Sequence, residues 1–484
     1  DGARVFRVGE EDAGDLMAMR LAALLLSFCT LAFGQGEPVA PAQKALNQFL
    51  EAFNSGDYGR ANSFDVSWRA PTPVAQMEEF RRITGGFTLL RIEKSEPLSV
   101  SSLLEEKNSD TVARLQIDLM ADDPTRIFAM TFNVIPRPAD LPIERMNEAE
   151  AIAALSRRAD DAAKADLFAG AVLVARDGKI LLERAWGFAD RTRLAMASPS
   201  TKFRLGSMNK MFTAVAILQL VEAGKVALAD PVAKYLPDYP NRELAAKVTV
   251  RDLLAHTAGT GDIFGPEFFQ NRLTLKEHAD YVKLYGARAQ EADAGAFHYS
   301  NYGYILLGSI IEKASAMSYY DYVQKNVLEP AGMASTGSLP ENVPVVNRAR
   351  GYMRRQGHWV SNAATLPWRG TAAGGGYSTV GDLYRFATAL SSGKLLSKAM
   401  LAEATRAQTT PPVYGYGFFL QGEGALQHYG HNGGAPGMNA ELRIYPQLGY
   451  VIVSLSNVDP PGATRMADFI EARMPIAAAK AERP

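Results

Sequence analysis

The sequence of 484 residues is poor in cysteine, in net charge and in the short motifs that hold metals or nucleotides. Its single cysteine, Cys29, excludes a disulfide framework and a cysteine-based metal site. The formal net charge of −1 provides no basic field for nucleic acid. No His-Glu-x-x-His cluster, phosphate loop or dinucleotide fingerprint occurs, so we expect no metal and no cofactor. The Gly-x-Ser-x-Gly elbow of α/β-hydrolases is also missing.

Long hydrophobic runs are missing as well. The longest apolar segment, Leu21 to Phe33, has thirteen residues and is too short to span a bilayer comfortably. It follows a single arginine and precedes a small-residue cleavage site, a pattern typical of a secretory signal peptide. We therefore interpret residues 1–34 as upstream residues plus a signal peptide cleaved near Gly34, with the true start at Met17 or Met19. A buried N-terminal helix is the alternative. A periplasmic or secreted protein without a membrane anchor is the expectation.

What is present is the composition of an ordinary globular protein, with 47% hydrophobic and 21% charged residues. Residues 40–136 begin with helical apolar spacing and continue with strands, among them the strictly alternating "TVARLQIDLM". This pattern predicts a small α+β accessory domain, which weakly resembles the cone-shaped domains related to nuclear transport factor two. A proline-rich linker at 137–143 separates it from a larger domain over 144–476.

The larger domain has strand pairs at both ends and a mostly helical middle. "GAVLVARDGKILLERAWG" predicts a hairpin that turns at Asp177-Gly178, and "AELRIYPQLGYVIVSLSN" predicts a second strand pair near the C-terminus. We expect an α/β (α+β) fold, in which one antiparallel sheet is flanked by helices and an all-helical subdomain is inserted.

Chemistry is indicated first by "RLGSMNKMFTAVAILQL". Ser207 and Lys210 are three residues apart at the start of an apolar helix, so they share a face. A lysine carried into such a helix has its charge disfavoured and can act as a base toward the neighbouring hydroxyl. An N-cap serine followed by a lysine that reaches solvent is the structural alternative. A second Ser-x-x-Lys, at Ser391 and Lys394, has no apolar helix behind it and predicts a solvated turn.

Two further motifs also occur twice. Tyr299 and Asn301 precede a second apolar helix, whereas Tyr239-Pro240-Asn241 lies in a turn-rich stretch that indicates a structural loop. Of the two His-x-Gly sequences we favour His431, because Gly433 and Gly434 follow it and glycines let a backbone approach a ligand closely. The remaining histidines are interpreted as structural or surface residues: His256, His278, His298 and His358.

Together these motifs, in this order, resemble the serine β-lactamase-like superfamily: class C β-lactamases, D-alanyl-D-alanine peptidases, D-aminopeptidases and the carboxylesterases of family VIII. "LLAHTAGT" and "GGGYSTVGDLYRFATAL" are similar to two further stretches of that group. The resemblance implies Ser207 as the nucleophile and either Lys210 or Tyr299 as the general base. It also implies that Asn301 holds the lysine and the substrate, and that the backbone N–H groups of Ser207 and Gly434 form an oxyanion hole.

His431 departs from the lysine of β-lactamases, and Asn432 stands where many relatives carry Ser or Thr to bind a carboxylate. A neutral histidine and an amide make a poor anion site. We therefore expect a serine hydrolase that acts through an acyl-enzyme on small esters. The alternatives are a D-stereospecific or penicillin-binding DD-peptidase, a weak class C-like β-lactamase, and a binding protein that has kept only the fold. The expected partner is a small ester or peptide substrate; the oligomeric state is left open.

Overall fold

A computed structural model describes residues 39–476, so the interpreted signal peptide lies outside the described residues. The chain divides into two compact units with the boundary between Ile143 and Glu144. No helix within residues 39–476 combines the length and hydrophobicity needed to cross a bilayer.

The first unit packs three helices against one face of an antiparallel sheet with the strand order β1-β2-β3-β4. Its elements are α1 (Pro41–Ser55), α2 (Tyr58–Trp68), a 3₁₀ turn (Val74–Gln76), α3 (Glu78–Thr84), β1 (Phe87–Glu96), β2 (Ser99–Glu106), β3 (Val112–Leu119) and β4 (Ile127–Ile135). The predicted helix and the alternating strand are confirmed as α1 and β3. The strand β2 was not expected, because its sequence "SVSSLLEE" is rich in serine and does not alternate.

The second unit begins with a helix and a hairpin, followed by the helical middle. Its elements up to the last helix of that middle are α4 (Glu148–Lys164), β5 (Gly170–Arg176), β6 (Lys179–Trp186), β7 (Phe188–Asp190), β8 (Ala195–Met196), β9 (Phe203–Arg204), a 3₁₀ turn (Gly206–Met208), α5 (Asn209–Glu222), α6 (Val232–Tyr235), α7 (Arg242–Lys247), α8 (Val250–Leu254), α9 (Pro266–Asn271), α10 (His278–Tyr285), α11 (Asn301–Ser315), α12 (Tyr319–Val323), a π-helix (Gln324–Leu328) and α13 (Glu329–Ala331).

The rest of this unit returns to the sheet and ends in a helix. Its elements are β10 (Tyr352–Arg355), β11 (His358–Ser361), a 3₁₀ turn (Asn362–Thr365), β12 (Tyr377–Ser378), α14 (Val380–Ser391), α15 (Lys398–Ala404), β13 (Phe419–Gln421), a 3₁₀ turn (Gly424–Leu426), β14 (His428–Ala435), β15 (Met438–Tyr445), β16 (Tyr450–Ser456) and α16 (Gly462–Arg473).

Strands from both ends of this unit form one sheet, with the order β13-β14-β15-β16-β5-β6 and antiparallel pairing throughout. Alternate residues of β5 face opposite layers: Val172 packs with α4 and α16, and Leu173 packs with α5 and α14. The predicted antiparallel sheet between helices is therefore confirmed. The helix α4 begins at Glu148, four residues into this domain, because Asn147 caps it by accepting the Glu150 N–H at 3.0 Å.

Two helices of the middle layer position the candidate site. In α5 apolar residues are buried on every side, as expected for a helix enclosed by a protein core. The helix α11 is similarly buried and packs beside α5. Both begin near β14: the turn before α5 contacts this strand directly, and the ring of Tyr299, just before α11, lies 6.4 Å from that of His431 in β14. The motifs of Ser207 and Tyr299, at the N-terminal ends of α5 and α11, therefore meet the motif of His431 in β14.

Candidate active site

Ser207 lies in the 3₁₀ turn that leads into α5. The residue before it, Gly206, has a φ of +54°, a conformation that glycine adopts without strain. A side chain there would also lie 3.1 Å from the backbone nitrogen of Gly434. Glycine at 206 therefore allows the serine turn to approach β14 closely.

Lys210 is completely buried one turn further along α5. Its Nζ atom lies 3.3 Å from Ser207 Oγ, 2.7 Å from Asn301 Oδ1 and 2.6 Å from the carbonyl oxygen of Ala373. Burial lowers the pKa of Lys210 from its ordinary 10.5 to about 7, and the carboxylate of Asp262 opposes that shift. Near neutral pH a large fraction of this lysine is therefore an uncharged amine beside a serine hydroxyl.

Tyr299 approaches the same serine from the start of α11. Its pKa is raised above the ordinary 10 because the phenol is buried, although a hydrogen bond with the Ser207 side chain opposes the shift. Lys210 Nζ lies 4.7 Å from the centre of its ring, and the His256 ring packs against it at a tilt of 33° with centroids 4.2 Å apart. At neutral pH this phenol is protonated and can donate a hydrogen bond.

Asn301, the first residue of α11, joins the lysine to the loop before α9. Its Oδ1 accepts from Lys210, and its Nδ2 donates to Asp262 Oδ1 at 2.9 Å. The preceding residue, Ser300, caps the helix by accepting the Gly303 N–H at 2.9 Å. The backbone N–H of Ser300 donates to His256 Nδ1 at 3.0 Å. The amide of Asn301 is thus held at both ends.

His431 is buried in β14 but does not line the cavity at Ser207. Its Nδ1 donates to the carbonyl oxygen of Asn432 at 2.5 Å, so its Nε2 accepts from the Tyr414 hydroxyl at 3.0 Å. Burial, followed by repulsion from Lys210, lowers the pKa of His431 from 6.5 to about 3. His431 is therefore a neutral residue that packs behind Tyr299.

The two glycines after it differ in their surroundings. A Cβ on Gly433 would lie 1.9 Å from the carbonyl oxygen of Leu205 and 3.1 Å from the backbone nitrogen of Ser207. A Cβ on Gly434 would meet only the side chain of Pro460, at 3.4 Å. Gly433 therefore faces the serine turn, while Gly434 lines the cavity with its backbone.

Asn432 is exposed and lies outside the cavity at Ser207. In the β14–β15 pair it is opposite Glu441, and with Arg443 it borders a separate, very small pocket. The Arg443 guanidinium is bound by the carboxylates of Glu441, Asp468 and Glu471. The cation nearest to Asn432 in this pocket is therefore already neutralised.

A cavity of about 350 Å³ opens beside Ser207. Apolar and aromatic side chains form most of its wall, chiefly Ile263, Phe264, Phe268, Phe269, Tyr281, Leu366, Pro367 and Met438. The polar groups that reach it include Ser207 and Asn301, and no charged side chain is among its lining residues in the described chain. The arrangement suits an uncharged, apolar group held next to a nucleophilic serine.

Several contributors to the site were not predicted. The carbonyl of Ala373 and the carboxylate of Asp262 gave no signal, because a backbone acceptor has no residue type and an aspartate in a loop is common. His256 and His278, which we interpreted as structural, are buried and hold parts of the site. His278 Nε2 accepts the Ala372 N–H at 3.1 Å and so fixes the loop that carries the Ala373 carbonyl.

The second copies of the Ser-x-x-Lys and Tyr-x-Asn motifs lie away from the candidate active site, as the residues around them indicated. Ser391 ends α14, and Gly393 follows with a φ of +82° in a turn. Tyr239 is a buried core residue whose hydroxyl lies 3.0 Å from that of Tyr302. Asn241 caps α7 by accepting the Leu244 N–H at 3.0 Å.

The fold and the paired serine and lysine define a class of protein, the serine hydrolases that carry Ser-x-x-Lys at the start of a buried helix. The sequence profile of the beta-lactamase family matches residues 155–473. The chain belongs to this family, and it is a serine hydrolase.

Comparison with individual proteins agrees with this assignment. The chain is 32% identical over 293 residues to the penicillin-binding protein PbpX of Bacillus subtilis (strain 168), covering 60% of this chain and 71% of that protein. Among solved structures, a penicillin-binding protein from Bacillus halodurans is 28% identical with a TM-score of 0.59, covering 66% of this chain and 99% of that one. A D-stereospecific amidohydrolase from Streptomyces sp. is 29% identical with a TM-score of 0.55, covering 66% and 98%.

Proposed function

We propose that this protein is a carboxylesterase that hydrolyses small, uncharged esters with an apolar acyl group through an acyl-enzyme on Ser207. The observation that carries the proposal is the lining of the cavity beside that serine, which is mostly apolar and contains no charged side chain among the described residues. An apolar acyl chain gains about 0.8 kcal/mol for each CH₂ group that it buries there.

The contacts around Lys210 support a role for it as the general base. A neutral amine has two N–H donors and one lone pair; the donors can serve Asn301 Oδ1 and the Ala373 carbonyl. The lone pair is then available to the Ser207 O–H, 3.3 Å away. As Ser207 Oγ bonds to the substrate carbonyl carbon, its proton passes to Lys210. Tyr299, protonated at neutral pH, gives a proton to the leaving alkoxide and recovers it from the Lys210 ammonium, which restores the neutral amine.

The developing negative charge on the carbonyl oxygen requires donors in fixed positions. The backbone N–H groups of Ser207 and Gly434 are the candidates, since Gly206 and Gly433 allow these two segments to pack against each other. After the alcohol leaves, neutral Lys210 takes a proton from the attacking water as its oxygen bonds to the acyl carbon. The bond from the acyl carbon to Ser207 Oγ then breaks, Lys210 returns the proton to Oγ, and the carboxylic acid is released.

Charge around the site supports uncharged substrates over carboxylates. Asp262, exposed next to the cavity residues Ile263 and Asn301, would repel an anion. Arg443, which borders the pocket at Asn432, is already bound by three carboxylates. A substrate carboxylate would therefore forgo a charge-assisted hydrogen bond of about 1.5–3 kcal/mol.

A substrate panel tests the proposal: p-nitrophenyl acetate, butyrate and octanoate, nitrocefin, and a D-alanyl-D-alanine peptide. We expect butyrate to exceed acetate in kcat/KM, because two more CH₂ groups are buried, and nitrocefin to be slower by about one to two orders of magnitude. The variant Ser207→Ala should remove all of these activities. Preference for nitrocefin or the peptide would refute the ester assignment.

A second candidate is a D-stereospecific amidase or peptidase, which the similarity to the Streptomyces amidohydrolase and to PbpX favours. Amides of D-amino acids, tested beside their L-forms, separate it from the esterase. Labelling of Ser207 by a fluorophosphonate probe, and its loss in Ser207→Ala, tests the acyl-enzyme step that both candidates share.

A further inference from the structure

A second, polar pocket of about 490 Å³ lies on the larger unit, next to the apolar cavity. Leu366 borders both, and Arg204, at the wall of the second pocket, precedes Ser207 by three residues. Four arginines and two carboxylates line this pocket, namely Arg193, Arg204, Arg348, Arg350, Asp190 and Glu341. We call it the arginine pocket.

Its charges are not balanced. Glu341 accepts both ends of the Arg204 guanidinium in a fork and also pairs with Arg348 at 3.2 Å. One carboxylate thus serves two guanidiniums, of which only 8% and 12% of the side chains are exposed. Removing charge from water without full pairing is costly, so this arrangement leaves a partly buried positive charge that calls for an anion.

The outer arginines also have donors to spare. Arg348 has a buried Nη1 atom without a hydrogen-bond partner among the described residues. Arg350 is exposed, and its guanidinium reaches the Thr192 hydroxyl only at 3.5 Å. Asp190, close enough to Arg350 to attract it, accepts hydrogen bonds from the Tyr352 hydroxyl at 2.9 Å and from the backbone N–H of Thr192, and it pairs with the exposed Arg193 at 3.8 Å. Arg348 and Arg350 therefore keep N–H groups without a close acceptor among the described residues, at the wall of a pocket whose lining carries an excess of positive charge.

We propose that the arginine pocket binds an organic anion through a phosphate-like dianionic group, held by Arg348 and Arg350. Guanidinium groups match such oxyanions with paired hydrogen bonds, and a dianion would balance the excess of two positive charges. The volume of the pocket exceeds that of inorganic phosphate, so the natural ligand carries a further organic part. This site is independent of the proposed esterase activity, since none of these arginines touches Ser207 or lines its cavity.

The test measures binding of inorganic phosphate by calorimetry and by the shift in melting temperature, at constant ionic strength set with sodium chloride. Binding of succinate, a dicarboxylate, is measured in the same way for comparison with phosphate. We expect saturable binding of phosphate that weakens at least about tenfold in Arg348→Gln and in Arg350→Gln, because each loses charge-assisted hydrogen bonds. Both variants should fold: Arg204 still pairs with Glu341 in the first, and in the second Asp190 keeps its contacts with Tyr352, Thr192 and Arg193.

Arg242→Gln, an exposed arginine at the start of α7, is the matched control and should bind phosphate as the wild type does. Absence of saturable phosphate binding would overturn the proposal. So would an equal loss in the Arg242→Gln control, or succinate binding that exceeds that of phosphate. Because binding is measured without turnover, these results do not depend on whether the esterase proposal holds.

Discussion

Replacing Gly433 by alanine should disable catalysis while the neighbouring Gly434→Ala should not. The added Cβ at 433 would lie 1.9 Å from the Leu205 carbonyl oxygen and 2.9 Å from its carbon. Real Cβ atoms do not approach closer than 3.0 Å, so β14 and the turn before Ser207 must separate by at least about 1 Å. This separation moves the two candidate oxyanion donors apart.

The expected loss of kcat follows from the displacement of these two donors. Removing one oxyanion-hole donor costs about 10²–10³ in kcat, or about 2.7–4 kcal/mol. A displacement of about 1 Å between reacting groups costs about 10²-fold. We therefore expect Gly433→Ala to lower kcat by about two to three orders of magnitude. KM should change much less, because the apolar cavity that binds the acyl group is formed largely by other segments.

Two other glycine-to-alanine variants in β14 separate this displacement from a general effect of adding a methyl group to the strand. At Gly434 the new methyl group would meet only Pro460 at 3.4 Å, and the backbone N–H is kept, so the candidate oxyanion donor stays in place and the effect on kcat should remain within about threefold. At Gly430 it would lie 1.9 Å from the Leu442 carbonyl oxygen, which strains β14 against β15 away from Ser207. Gly430→Ala should therefore lower the melting temperature more than it lowers kcat.

The assay is the steady-state hydrolysis of p-nitrophenyl butyrate, with the melting temperature of each variant followed by circular dichroism. The reasoning is refuted if folded Gly433→Ala keeps more than a tenth of the wild-type kcat. It is also refuted if Gly434→Ala loses as much activity as Gly433→Ala.

Four further predictions concern the nucleophile, the base, selectivity and processing. Ser207→Ala should abolish turnover and Ser391→Ala should not; equal effects in a p-nitrophenyl ester assay would contradict the assignment. Because the neutral amine of Lys210 is the active form and its pKa is about 7, kcat/KM should fall as pH drops through about 7, and a profile flat from pH 5 to 9 would speak against this base. Asn432→Thr should change the nitrocefin-to-ester ratio by less than about threefold, since this side chain lies outside the cavity; a rise of one to two orders of magnitude would give it the carboxylate-binding role that its motif suggests. The exported protein should begin near Gln35, and N-terminal sequencing that finds the apolar segment before it intact would disprove cleavage there.

The sequence was sufficient for those features that depend on local pattern. Alternating residues predicted β3, and the turn at Asp177-Gly178 is the observed turn between β5 and β6. The choice between duplicate motifs also rested on local context. Ser207 heads an apolar helix and Ser391 ends a helix, a difference visible in the residues that follow each of them.

Other features depended on contacts between segments far apart in the chain. The sequence of strand β2 shows no clear alternation of apolar and polar residues. The strand is defined by its pairing with β1 on one side and with β3 on the other. The role of Asp262 arises from one hydrogen bond to Asn301, 39 residues away. His256 packs against the ring of Tyr299, a contact that nothing in the residues around His256 indicates.

Lys210 shows which properties follow from the local sequence and which require the tertiary structure. The spacing from Ser207 and the apolar helix are local, and from them the sequence determined that a lysine stands one turn from a serine. Its pKa of about 7 is a consequence of complete burial, with Asn301 and the Ala373 carbonyl brought to it from 91 and 163 residues away. Desolvation depends on everything that surrounds a group, so only the tertiary structure decided that this lysine can be a base at neutral pH.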